Sequence, residues 1–372
     1  MAPSSSQRVA YLDWLRGLAC LLMFQTHCYD SWLGGTARQA SFIGWSRLVG
    51  TLPAPLFLFL AGVSTALMMD RMGRKGISSD EVARTVVRRG VEIFALGLLF
   101  RVQEYALGWL SAPWTDLLRV DILNTIGLSI IFMGIVGRMA KSAAAKAILA
   151  AAVALGISLV TPPLWTTWAP HWLPWYIESY VNGVHTLGTP QPWLFPIFPW
   201  TAFAFAGMAM GFWLWSDWTA VHETQAMALV GVAGVGIYFA SSWLDARPAH
   251  LYAVYDYWHT SPNFFLARVG ILLVIVLAAY AWCRWGAGQI GFSPFIQLGR
   301  ASLLVYWVHI ELVYGRFSIL AKRAQSVPMA TLGLLVIFVA MVLLAMARTR
   351  WKGRGAEILA RLGYGQRTPA TG

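Results

Sequence analysis

Residues 14–33 read WLRGLACLLMFQTHCYDSWL. A helix needs roughly 20 mostly apolar residues to cross the hydrocarbon core of a bilayer, and this stretch has that length. Asp13 and Arg16 flank or interrupt it, and no small-x-small cleavage site follows. It therefore reads as a retained transmembrane helix rather than a secretory leader. Working outward, similar apolar segments recur near 48–69, 90–111, 119–137, 147–162, 195–215, 225–243, 264–283, 295–315 and 331–347. Several contain Gly or Pro, which bilayer helices tolerate better than soluble ones. The sequence predicts an all-α integral membrane protein, a bundle of about ten transmembrane helices over 1–347. Residues 348–372 follow as a basic cytoplasmic tail, placed at the lipid surface or without fixed structure.

Composition agrees. The 372 residues are 58% hydrophobic and 12% charged, against about 25% charged in soluble domains. Water is not the main solvent of such a surface; the lipid bilayer is its first partner. The net charge of +12 has a topological reading, because Lys and Arg collect in cytoplasmic loops. With an inside N-terminus and ten spans, seventeen Lys/Arg fall inside and seven outside. That bias places both termini in the cytoplasm. No basic stretch lies on a separate soluble domain, so nucleic-acid binding is excluded. Cys20, Cys28 and Cys283 show neither zinc spacing nor a disulfide framework, and no metal is expected. Nothing in the pattern opposes a homo-oligomer.

Two expected outer segments are aromatic. The loop 163–194 carries Trp165, Trp168, Trp172, Trp175 and Trp193, and 244–263 carries Tyr252, Tyr255, Tyr257 and Trp258. Both read first as an interfacial aromatic belt, with a platform for stacking sugar rings as the functional alternative.

Ionisable residues inside a bilayer are costly and usually functional. The first span and its inner edge hold Asp13, Arg16, His27 and Asp30. Arg16 and His27 are eleven residues apart, which is about 20° beyond three full turns, so they share one helix face about 16 Å apart along the axis. Asp13 and Arg16 form an i, i+3 pair able to neutralise each other. A fixed cation thus lies near the cytoplasm, with an imidazole on the same line further out. Imidazole suits general-base work on a hydroxyl or amine, and could itself carry an acyl group. The bland alternative is a buried histidine bonded to a neighbouring helix, with Asp30 as a cap. Arg101 and Glu104 form another i, i+3 pair. His309 lies at similar outward depth in YWVHIEL, a candidate for acceptor or oxyanion binding or for packing. Asp121 and Asn124 open the fourth span as candidate cavity-lining residues.

These residues carry a family resemblance. Arg8 to His27, RVAYLDWLRGLACLLMFQTH, resembles the opening of the transmembrane acyltransferase superfamily: a leading Arg, then L-D-x-L-R-G, then a His eleven residues beyond the second Arg. The segment PAPLFLFLAGVSTALMMDRMGRKG (53–76) fits the same pattern, ending in Arg-x-x-Arg at Arg71 and Arg74. RVDILNTIGLSIIF (119–132) and LGRASLLVYWVHIELVYG (298–315) look like later segments of the family. The branch it most resembles is the bacterial proteins similar to heparan-α-glucosaminide N-acetyltransferase. One departure stands out: the lysosomal branch has Asn at the position of His27 and its catalytic His further on, whereas no His occurs here between Cys28 and Pro170. The histidine placement resembles the bacterial O-acyltransferase (acyltransferase-3-like) branch, leaving amine and hydroxyl acceptors both open.

The resemblance implies an enzyme of the cytoplasmic (inner) membrane that moves an acyl group, acetyl in this family, from cytoplasmic acyl-CoA (acetyl-CoA) to a sugar or glycan acceptor at the outer face. His27 matches the catalytic histidine and Arg16 the arginine paired with it, with Asp13 beside them. Arg71 and Arg74 match the arginine pair implicated in donor binding. Six Lys/Arg occupy 71–89, and Arg88 and Arg89 extend the expected phosphate site. Guanidinium groups suit phosphate because they bind two oxygens at once. Asp30, His309, Asp121 and Asn124 are the acceptor-site candidates. The rival reading is a multi-pass transporter or flippase without acyl chemistry, for which the Arg16–His27 spacing has no use.

Overall fold

The structure is a computed structural model that describes residues 10–108, 112–168, 170, 172–183, 195–247, 251–286 and 291–361, with the main chain alone over 352–361. Arg8, Trp193 and the end of the basic tail lie outside the described residues. Helices follow one another in the order α1 (Ala10–Trp32), α2 (Ser41–Gly50), α3 (Pro53–Arg74), α4 (Ser79–Leu107), α5 (Ile122–Arg138), α6 (Ala143–Thr166) and α7 (Trp175–Val181). Then come α8 (Ile197–Leu214), α9 (Asp217–Val221), α10 (Glu223–Asp245), α11 (Pro262–Trp285), α12 (Pro294–Arg300), α13 (Ser302–Val313) and α14 (Val327–Arg361). Among the described residues there is no β-strand, only an isolated bridge between Leu33 and Gln325. The protein is an all-α membrane protein.

Each of the ten expected segments falls on helix among the described residues; the end of the third, 109–111, lies outside them. Among the described residues, seven helices are long and apolar enough to cross a membrane, by length and composition. The segments outside that seven are α1, with Asp13, Arg16 and Asp30; α4, whose first half is charged; and the ninth, which is broken. The ninth was expected as one run over 295–315. Instead the backbone leaves helical geometry at Ala301 (φ −119°, ψ 14°), between α12 and α13. The break follows Gly299, and glycine is a poor helix former. The last helix α14 runs on through Arg361, so the start of the basic tail is helical.

The chain divides into two compact units. The first comprises Met1–Tyr11 and Thr51–Gln289. Its helix starts are set by side-chain caps that satisfy first-turn N–H groups. Ser78 accepts from Glu81 N (3.3 Å) and Ser142 from Ala145 N (3.1 Å). Asp121 and Asn124 form a reciprocal capping box on α5. In lipid, helix association depends on close packing of small residues. Gly62 on α3 and Gly207 on α8 face each other's backbone, and a Cβ on either would overlap the carbonyl oxygen of Ala204 or Phe59.

The second unit comprises Leu12–Gly50 and Ile290–Gly372. Here α1 and α12 approach through glycine from both sides: a Cβ at Gly17 would overlap the Phe295 carbonyl, and one at Gly299 the Asp13 carbonyl. At the other end of α1 the loop before α14 is stapled to the chain. Arg323 N donates to Ser31 O (2.8 Å), Gln325 N to Trp32 O (2.8 Å) and Gly34 N to Gln325 O (2.9 Å). Ser31 Oγ also donates to Val313 O (2.7 Å). These contacts hold the end of α13 against the end of α1.

Candidate functional site

The second unit holds two polar clusters along α1. At its N-terminal end, Arg16 Nη1 donates to Asp13 Oδ1 at 2.7 Å, as the i, i+3 spacing predicts. Asp13 is buried, and its other oxygen lies 3.6 Å from Arg300 Nε. Arg348 Nη1 donates to the Arg300 carbonyl (3.2 Å). Two guanidinium groups therefore share a single carboxylate, with a third arginine anchored beside them. The cluster keeps a net positive charge, and both Arg16 and Arg300 retain part of their surface. Such a site suits a phosphate.

At the other end, His27 Nδ1 lies 2.9 Å from His309 Nε2, in rings 5° from parallel. His309 is 0% exposed, and its Nδ1 is 3.0 Å from the Val305 carbonyl. A carbonyl can only accept, so His309 Nδ1 carries a proton. In the neutral ring Nε2 is then an acceptor, and His27 Nδ1–H donates to it. The hydrogen-bond pattern so assigns the lone pair of neutral His27 to Nε2. One buried imidazole fixes the tautomer and plane of the other. Phe24 packs on His309 with centroids 5.0 Å apart, and Tyr314 meets His27 edge-on at 5.3 Å.

Tyr314 links this pair to Asp30, donating from its hydroxyl to Asp30 Oδ2 (2.9 Å). Arg38 donates to the carbonyls of Leu33 (3.1 Å) and Asp30. Lys322 donates to the Tyr314 carbonyl. His27, His309 and Asp30 are thus brought together, as three of the expected site residues. His309 is wholly buried, with one ring nitrogen at the Val305 carbonyl and the other at His27. Sequence reasoning missed Arg300 and Tyr314. Arg300 had a signal, being a charge inside the expected ninth span, but no local partner. Tyr314 had none.

The expected donor arginines lie on the first unit and differ in how they are engaged. Arg74 is bound three ways, to Asp70 (2.8 Å), Asp217 (3.0 Å) and the Trp215 carbonyl (2.9 Å). Arg88 and Arg89 are exposed and share Glu92, each at 3.3 Å. Arg71 lines a cavity of about 250 Å³ with Lys75, Ser64 and Met68. Arg71 and Lys75 are accordingly the better-disposed pair for an anion, while Arg74 ties α3 to the segment after α8. Arg101 does not pair with Glu104 as its i, i+3 spacing suggested. It reaches Asp121 Oδ2 at 2.9 Å, with both side chains largely buried. A carboxylate fixed at a helix start is a better partner than one on the same helix, because its geometry costs no extra ordering. Asp121 and Asn124 are both engaged: besides capping α5, Asn124 donates to the Phe94 carbonyl (3.3 Å). Of the aromatic outer loop, Trp165 donates to the Phe198 carbonyl (3.0 Å) and Trp175 packs on Trp114 (6.0 Å).

Residues 8–241 match the family described as "Heparan-alpha-glucosaminide N-acetyltransferase, catalytic". The chain is also 28% identical over 127 residues to heparan-alpha-glucosaminide N-acetyltransferase of Mus musculus, covering 34% of this chain and 18% of the mouse protein. The chain therefore matches less than a fifth of the length of that curated relative. His27, Arg16 and Asp13 lie within the family match; Arg300, His309 and Tyr314 lie beyond it.

Proposed function

Because the chain belongs to the heparan-alpha-glucosaminide N-acetyltransferase catalytic family, we propose that it moves an acetyl group from acetyl-CoA to a sugar or glycan acceptor on the opposite side of the membrane. The observation that carries this reading is the hydrogen bond between His27 Nδ1 and His309 Nε2. It leaves the basic lone pair of His27 on Nε2, on a helix inside the family match. His27 Nε2 takes the proton from an acceptor hydroxyl or amine as that oxygen or nitrogen bonds to the thioester carbonyl carbon. The carbon–sulfur bond then breaks, and the leaving thiolate takes up the proton. Positioned proton transfer of this kind contributes about 10²–10⁴ in rate.

Arg16 and Arg300 bind phosphate oxygens of the donor at the N-terminal end of α1, and Asp13 keeps their guanidinium groups oriented. The pantetheine arm follows the helix face shared by Arg16 and His27, about 16 Å long. On the first unit, Arg71 with Lys75 is a second candidate phosphate site, and Arg88 and Arg89 add positive charge. Asp30 and Tyr314, beside His27, hydrogen-bond acceptor hydroxyls. Ten spans put both termini in the cytoplasm of a cytoplasmic (inner) membrane, as the seventeen-to-seven distribution of Lys and Arg supports.

The test is release of free CoA from labelled acetyl-CoA by purified protein, with extracts of surface glycans as acceptor. Wild type turns over, and His27→Ala falls by about 10²-fold or more while remaining monodisperse. An unimpaired His27→Ala protein would refute the assignment. Thioester turnover absent with every extract, alongside solute transport in vesicles, would favour the transporter instead. Acetyl trapped on His27 would replace direct transfer with a two-step route.

A further inference from the structure

Arg16, Arg101, Arg268 and Arg300 lie within expected spans. Three of them face a carboxylate, namely Asp13 for Arg16 and Arg300 and Asp121 for Arg101. Arg268 on α11 is the exception. It is 8% exposed, and its Nε is buried without a hydrogen-bond partner among the described residues. A buried cation without a counter-charge is strongly disfavoured. What surrounds Arg268 offsets only part of that cost. Its guanidinium carbon lies 4.6 Å above the ring of Phe264, a cation–π contact. Phe264 packs on Tyr257 (5.6 Å) and Trp258 (5.9 Å), which pack on each other (5.3 Å). Tyr257 and Tyr238 are within electrostatic range of the guanidinium. Burial pushes the Tyr257 phenol up, with Asp245 adding to the shift and Arg268 opposing it. Tyr257 is thus a proton donor at neutral pH.

We propose that Arg268 is the seat of a phosphate-binding site on the first unit, separate from the acetyl-transfer residues, that receives the headgroup of an anionic phospholipid. An oxyanion supplies the missing counter-charge and can accept from two guanidinium N–H groups at once. The depth favours a lipid over a soluble phosphate. Arg268 is six residues past the start of α11, about 9 Å along the axis, just beneath the boundary of a hydrocarbon core about 30 Å thick. Trp258, which packs on Phe264, is 51% exposed, an aromatic of the kind that lies at headgroup level.

Full-chain protein, delipidated in detergent, is titrated with phosphatidylglycerol, phosphatidylcholine or inorganic phosphate, and read by native mass spectrometry and thermal shift. Wild type is expected to retain one phosphatidylglycerol at least tenfold more tightly than phosphatidylcholine. Arg268→Met, which keeps length without charge, loses that preference, and Arg268→Lys keeps part of it. Arg247→Gln, an exposed arginine over Trp243, binds as wild type does. Competition by inorganic phosphate at equal affinity would overturn the lipid assignment. Equal retention of both lipids by wild type, or unchanged preference in Arg268→Met, would overturn the site. If Arg268→Met fails to fold, the wild-type titration and Arg268→Lys decide.

Discussion

His27 and His309 are both imidazoles in an apolar setting, yet their surroundings give them different work. His309 is wholly buried and spends one nitrogen on the Val305 carbonyl and the other on His27. In the proposed reaction it acts through His27, as a positioning residue. His309→Ala is expected to lower kcat roughly 10²-fold, the cost of a misplaced reacting group, with KM for acetyl-CoA near wild type. His309→Gln should recover part of the loss, because its amide oxygen can accept from His27 Nδ1–H. Steady-state kinetics with acetyl-CoA distinguish these outcomes, and a wild-type kcat in His309→Ala would remove the tautomer assignment. Arg300 belongs to the other end of α1. Arg300→Gln is expected to raise KM for acetyl-CoA about ten- to a hundredfold with little change in kcat, as loss of a charged hydrogen bond of about 1.5–3 kcal/mol would. A fall in kcat alone would place Arg300 outside donor binding.

At the scale of elements, helix phase made the Arg16–His27 line legible, because two residues on one helix need no knowledge of the rest of the chain. The ninth segment was not legible in the same way. Its apolar run conceals the break at Ala301, which turns α12 and α13 into separate helices. That break follows directly on Arg300, which faces Asp13, and α13 carries His309 to His27. The α1–α12 crossing depends on Gly17 and Gly299, each against the partner's backbone. Gly299→Val and Gly17→Val should each destabilise the detergent-solubilised protein by about 1–3 kcal/mol or more, as overpacking does. Gly35→Ala and Gly44→Ala have nothing within 4 Å of the added methyl and should melt as wild type. A thermal unfolding series reads the difference; equal melting of all four would mean the crossing relaxes freely.

For the molecule as a whole, the proposed topology is tested by thiol labelling of intact cells in a Cys283→Ala background. Ser41→Cys, at the start of α2, should react with an impermeant reagent from outside. Lys75→Cys, just beyond α3, should react only after the membrane is opened. The reverse pattern would invert the chain. Hydropathy, charge bias and the phase of Arg16 and His27 could be read from the sequence alone, because each depends on residues close along the chain and on their affinity for lipid. The identity of the partners could not. His27 meets His309 across 282 residues, and Arg101 takes Asp121 over the nearer Glu104. Arg74 is consumed by Asp70 and Asp217. Only the tertiary structure decided these, because a buried charge or imidazole selects whichever partner packing delivers at hydrogen-bond distance, and sequence spacing carries no record of that choice.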